Sequence, residues 1–292
     1  MIAPRALSLE TMRVRRLLPL VAVAALAGCG SSSSGVDTPT VAPARTFSVA
    51  GFTPTAVVQK DRPTTVSFTI RQPDGKPLTR FKRGAGPHTG VHLIMVRDDL
   101  SKIIHLHPPI AADGTITTKA TFPASGPWHV LIDVYPDVPG AGPNFQLTKS
   151  IVVNGAYKPK PIGAFKSTVN VGPYKITVHH PPKIKALFPA ELNMTVTGPG
   201  GKNATFSPWF GALAHAIFFQ KGTLNYFHTH VCSAGMTGCT SVLGGAKVTG
   251  QSNTPGKLSV GVLLPVAGEW RLFLQTKVGD KVITAPFTLK AS

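Results

Sequence analysis

Acidic side chains are scarce: 12 Asp and Glu stand against 30 Lys and Arg, a formal charge of +18 over 292 residues. No pair of carboxylates lies near a histidine in the sequence, which removes two-carboxylate acid–base chemistry. The 5 methionines are too few and too scattered for a thioether copper(I) cluster. There is no Gly-x-Ser-x-Gly, no His-Glu-x-x-His and no phosphate loop, so the usual parts of an enzyme are lacking and none is expected. Long helical periodicity is absent after residue 28, while strand formers abound among 29 Gly and 27 Pro. An all-β chain follows.

What stands out is a histidine spacing that occurs twice. His92, His105 and His107 form one His-x12-His-x-His pattern, and His215, His228 and His230 form the other. His105 and His107 lie in Ile103-Ile104-His105-Leu106-His107, where alternate side chains share a face about 7 Å apart. Arg97-Asp98-Asp99-Leu100 reads as a hairpin turn, and centring it on Asp98-Asp99 puts His92 directly across from His105. In the second copy Gln220-Lys221-Gly222-Thr223 is the turn, and the same centring puts His215 opposite His228. Each copy then presents three imidazoles on one face, a donor set suited to copper or zinc with an open fourth position. Asp98 and Asp99 fall in a turn that points away from the trio.

The duplication extends past histidine. Val66-Ser67-Phe68-Thr69-Ile70 with Pro73-Asp74-Gly75-Lys76 matches Leu192-Asn193-Met194-Thr195-Val196 with Pro199-Gly200-Gly201-Lys202, and Pro123 to Trp128 matches Pro265 to Trp270. About seven short strands per copy, starting with Ala56–Gln59 in the first, fit tandem immunoglobulin-like β-sandwiches. The expected organisation is a leader at 1–28, a Ser/Pro/Thr-rich tether at 29–46, a sandwich at 47–154, a linker at 155–163 and a second sandwich at 164–292. The Pro-x-x-Gly-x-Trp piece that opens the strand at Trp128 and again at Trp270 resembles the penultimate strand of exported Ig-like bacterial domains, including those similar to YtkA and copper-associated sandwiches of the CopC type. That resemblance implies metal handling and assigns no residue.

Arg13-Val14-Arg15-Arg16, then an apolar run too short to span a bilayer, ends in Leu26-Ala27-Gly28-Cys29. This resembles the lipobox of bacterial lipoproteins. The resemblance implies cleavage after Gly28, a diacylglyceryl group on Cys29 and residence at the extracytoplasmic face of the cell membrane, anchored in the lipid bilayer. Losing residues 1–28 leaves 26 basic against 11 acidic residues, a net +15. Outside the cytoplasm such a charge faces anionic lipid headgroups or wall polymers rather than nucleic acid, or simply keeps the surface solvated.

The second copy is nineteen residues longer between His-x-His and the Pro-x-x-Gly-x-Trp piece, and the extra segment carries Cys232 and Cys239. These are the only thiols besides Cys29, and in an oxidising compartment a disulfide is the first expectation. The alternative is a soft site, since His228, His230 and Cys232 alternate along one strand. His88, His129, His179 and His180 have no counterpart in a matched trio, and Asp133, matched by Gln275, reads as a local hydrogen-bonding residue. Two functions remain open: transition-metal binding by the trios, or a non-metal adhesion or scaffold lipoprotein whose histidines pack. Burial of the histidine face would weigh against the first.

Overall fold

Alternation of inward and outward side chains runs from Ser48 to Ala291, and nearly all of it is spent on strands. The computed structural model describes residues 46–82, 90–142, 144–233, 236, 242–243 and 246–292, the side chains of 242–243 and 246–247 excepted. The expected leader, the tether up to residue 45, His88 and Cys239 therefore lie outside the described residues. No helix among those described is long and apolar enough to cross a membrane.

The first sandwich contains β1 (Ser48–Thr53), β2 (Pro63–Arg71), β3 (Val91–Arg97), β4 (Ile103–Leu106), β5 (Ile116–Thr121), β6 (Gly126–Val134) and β7 (Phe145–Val153). They form an antiparallel sheet β1-β2-β5 against a sheet β4-β3-β6-β7. The first strand is thus not Ala56–Gln59. That piece lies between β1 and β2, and its Val58 makes a parallel bridge to Val153 at the edge of the other sheet. Val66, Phe68 and Ile70 of β2 close on Leu93, Met95, Trp128, Val130 and Ile132 from the facing sheet.

The second sandwich contains β8 (Thr168–Val171), β9 (Tyr174–His179), β10 (Ala190–Thr197), β11 (Phe206–Ser207), β12 (Ala214–Gln220), β13 (Tyr226–Cys232), β14 (Val242–Leu243), β15 (Ala246–Lys247), β16 (Gly250–Gln251), β17 (Lys257–Val262), β18 (Gly268–Val278) and β19 (Lys281–Ala291). Strands β10, β12, β13, β17, β18 and β19 repeat β2 to β7 in order. The extra segment changes one thing. Its β16 pairs β13 in parallel and β17 antiparallel, which joins the two layers into one ten-stranded sheet.

The repeated Pro-x-x-Gly-x-Trp piece has the same local structure in both copies. Each indole is fully buried and donates its Nε1 hydrogen four residues back, from Trp128 to the Ala124 oxygen at 3.0 Å and from Trp270 to the Val266 oxygen at 3.1 Å. Gly126 and Gly268, with φ of 105° and 132°, bend the chain into that position, a conformation that glycine adopts without a Cβ penalty.

Both histidine hairpins shift register by two from the sequence expectation. Arg97 pairs with Lys102, its N–H reaching the Lys102 oxygen at 3.0 Å, around a four-residue loop in which Leu100 takes φ 58°. Asp99 stabilises that longer loop by accepting from the Ser101 N–H at 3.0 Å and the Ser101 hydroxyl at 2.6 Å. The second loop closes in the same way, Gln220 N–H to the Asn225 oxygen at 2.8 Å. His105 consequently faces Ile94 and His228 faces Ile217, while His215 faces His230. Because side chains alternate with a period of two, the shift leaves every histidine on its face.

Most of that face is covered, with His107 and His228 keeping partial exposure. On β3, Val91, Leu93 and Met95 enter the first core, whereas His92, Ile94 and Val96 point the other way, and β12 does the same with Ala214, Ala216 and Phe218 against His215, Ile217 and Phe219. The two outward faces close on each other. Ile94, Val96, Leu131, Ile217, Phe219 and Phe273 form a third core between the sandwiches, joined by Ile162 of the linker. The linker is held rather than slack: the Lys160 N–H reaches Asp99 at 2.9 Å, and the Ile162 oxygen accepts from Arg271 at 2.6 Å and Thr288 at 2.8 Å. Phe273→Ala is expected to cost about 3–5 kcal/mol of stability, measured by chemical denaturation; a loss under about 1 kcal/mol would mean that the sandwiches do not rely on this seam.

Candidate functional site

The six histidines of the two patterns meet at one end of the seam. Within the first copy His92 stacks on His107 at a centroid distance of 4.3 Å, and His105 stands edge-on to His107 at 5.0 Å. Across the seam His92 lies 5.2 Å from His228, and His105 lies 5.0 Å from His215 and 5.3 Å from His228. His230 packs beside His215 at 4.9 Å. The expectation of one cluster per sandwich thus gives way to a single shared cluster, since the strand faces that carry the trios are the faces that close.

Three donor sets have all their ligand atoms within 4.8 Å of one another: His92, His105 and His107; His105, His215 and His228; and His92, Asp133 and His228. The trio His215, His228 and His230 is not one of them among the described residues. Cys232 is not in a set either; it packs against Ala212 and Met236 beyond the end of the cluster.

Hydrogen bonds define the tautomers. Gln275 donates its amide to the Thr284 hydroxyl at 3.1 Å, which turns Oε1 toward His105 Nδ1 at 3.2 Å. That ring therefore carries its proton on Nδ1 and keeps a lone pair on Nε2. His215 donates from Nε2 to the Trp209 carbonyl at 2.8 Å, so its Nδ1 keeps a lone pair, 3.2 Å from His228 Nε2. His228 donates that contact, and its other nitrogen, the buried Nδ1, has no hydrogen-bond partner among the described residues. Two rings are thus braced from outside with their lone pairs turned inward, the arrangement that a metal-ligating imidazole needs.

Sequence reading treated Asp133 as local, and the structure places it in the cluster. Strand β6 sets Asp133 directly opposite His92, just as β18 sets Gln275 opposite His215. The buried carboxylate lies 3.8 Å from His92 Nδ1 and accepts from Asn144 at 2.8 Å, the Tyr135 hydroxyl at 3.2 Å and the Tyr226 hydroxyl at 3.5 Å. Burial and the Asp133 charge push both phenols well above their ordinary pKa, so they stay protonated donors. Counting alternate residues from the core-facing Trp128 puts Asp133 on the histidine face, a signal that was available. Trp209 and Phe210 gave none. They reach over from the turn before β12, Phe210 stacking on His107 at 4.0 Å and Trp209 standing edge-on to His105 at 5.5 Å.

Residues 168–292 match the family described as Domain of unknown function (DUF8832). No curated protein matches the chain. Among solved structures, a mutant of Salmonella alpha-2-macroglobulin is 10% identical over 85% of this chain and 14% of that one, with a TM-score of 0.26. The Clostridium thermocellum CbhA fibronectin(III)-like modules are 10% identical over 84% of this chain and 93% of theirs, TM-score 0.22, and domains 5–6 of the S-layer protein SbsC are 12% identical over 85% and 98%, TM-score 0.22. Likenesses of this size carry no weight for the function.

Burial lowers the pKa of His105 and of His228 well below the ordinary 6.5, and the neighbouring imidazoles lower them further. In the unfolded chain both take a proton near 6.5, so below that pH the unfolded state binds more protons and the fold weakens, while above it their contribution is complete. Metal-free protein is expected to lose roughly 1 kcal/mol per pH unit per histidine below about pH 6.5. Urea unfolding between about pH 8 and pH 5 measures it; a midpoint that does not move would place these rings in water.

Proposed function

We propose that the protein is a membrane-anchored extracytoplasmic lipoprotein that binds a transition metal, copper or zinc, at a single centre shared by its two sandwiches. The observation that carries this reading is the donor set of His105, His215 and His228, which brings imidazole nitrogens of both sandwiches within 4.8 Å of one another, His105 being braced by Gln275 and His215 by the Trp209 carbonyl. These outer hydrogen bonds would serve packed rings as well, whereas the unsatisfied His228 Nδ1 would cost a packed ring about 1–3 kcal/mol. Neutral imidazoles favour copper or zinc over harder ions. Likeness to the lipobox at Cys29 supplies the membrane anchor, and the disulfide between Cys232 and Cys239 belongs to the same extracytoplasmic setting. The centre serves storage, sensing or delivery of the ion outside the membrane, with the basic surface facing anionic headgroups or wall polymers.

A second reading is favoured by the burial of His92, His215 and His230. In it the protein is a non-metal adhesion or scaffold lipoprotein, and the rings pack the seam. Titration with zinc or copper separates the two. Binding at micromolar metal or tighter is expected, lost in His105→Ala, weakened about 10–100-fold in Gln275→Leu, and unchanged in His179→Ala, whose ring bonds Thr195 at 2.8 Å outside the cluster. No binding by the parent chain leaves the scaffold reading. Membrane attachment is tested by Cys29→Ser, which is expected to move the protein from the membrane fraction to the soluble one; unchanged fractionation would contradict lipidation at Cys29.

A further inference from the structure

We propose that the histidine cluster seats two metal ions, the second held by His92 and Asp133 and bridged to the first through the ring of His228. This deepens the metal reading above and rests on it. The donor sets together hold five imidazoles and a carboxylate, more donors than the four of a tetrahedral ion. Two of the three sets have a single member in common. His105, His215 and His228 form an all-nitrogen position; His92, Asp133 and His228 form a mixed position of two nitrogens and a carboxylate.

His228 is placed to serve both. Its ring centroid is 5.2 Å from that of His92 and 5.3 Å from that of His105, and it is the member that the two sets share. Its Nε2 faces His215 at 3.2 Å, and the Nδ1 at the other end of the ring is buried without a hydrogen-bond partner among the described residues. With an ion at each nitrogen the ring gives up its single N–H proton to solvent and becomes an imidazolate, a release that metal binding drives.

Asp133 is held as a ligand is held. Asn144 donates to Oδ1, and Tyr135 and Tyr226 donate to Oδ2. Tyr226 belongs to the second sandwich and Tyr135 to the first, so the carboxylate is positioned from both sides of the seam. The two positions differ in hardness, yet copper(II) and zinc accept either donor set.

The test is titration of the metal-free full chain with copper(II), following bound copper and the intensity of its electron paramagnetic resonance signal. About two coppers per chain are expected, with the signal per copper falling as the second ion binds, because spins bridged by an imidazolate couple. Asp133→Asn is expected to stop at about one copper with an undiminished signal. The parent chain decides the matter even if that variant fails to fold. One copper in parent and variant alike would overturn the proposal and make Asp133 a carboxylate that merely supports a ligating ring. Two coppers without coupling would overturn the bridge. No copper at all would remove the metal reading itself.

Discussion

Everything at this site depends on two sheets closing face to face inside one chain. Ile94, Val96 and Leu131 from the first sandwich meet Ile217, Phe219 and Phe273 from the second, and these residues occupy equivalent places in the two copies. The seam thus resembles a self-complementary dimer interface built within a single polypeptide. Apolar burial drives the closure. The polar end follows from it, because the same strands that present Ile94 and Ile217 present His92 and His215 two residues earlier on the same face.

Imidazoles gathered in that way would be a liability if they were charged. Burial keeps His105 and His228 neutral, and the acceptors around the rim draw the protons of His105 and His215 outward. The equivalent positions opposite His92 and His215 have diverged. In the first copy the residue is Asp133, which brings a negative charge to the cluster; in the second it is Gln275, which spends its oxygen on His105 across the seam. Duplication therefore supplied the imidazoles, and divergence at one strand position gave the two sides different roles.

The β-sandwich character was legible because periods of two and turn residues are local signals, and the repeat made each reading a check on the other. The histidine faces were legible for the same reason. A hairpin loop two residues longer than expected changed His105's cross-strand partner to Ile94 without changing its side of the sheet. What the sequence did not carry was the docking of one sandwich on the other. Nothing local in Ile217 or Phe219 says whether a second apolar face will cover them, so the union of the trios, the reach of Trp209 and Phe210 to the first copy's rings and the partnership of Gln275 with His105 were all out of view. Asp133 was legible in part, since alternation from the core-facing Trp128 puts it on the histidine face.

The claim at the centre of this account is that imidazoles from both sandwiches bind one ion-holding centre. X-ray absorption at the zinc edge of the loaded full chain tests it most directly. The account predicts a first shell dominated by nitrogen near about 2.0 Å, with the outer-shell scattering of several imidazole rings. A first shell of oxygen alone, without imidazole scattering, would contradict it.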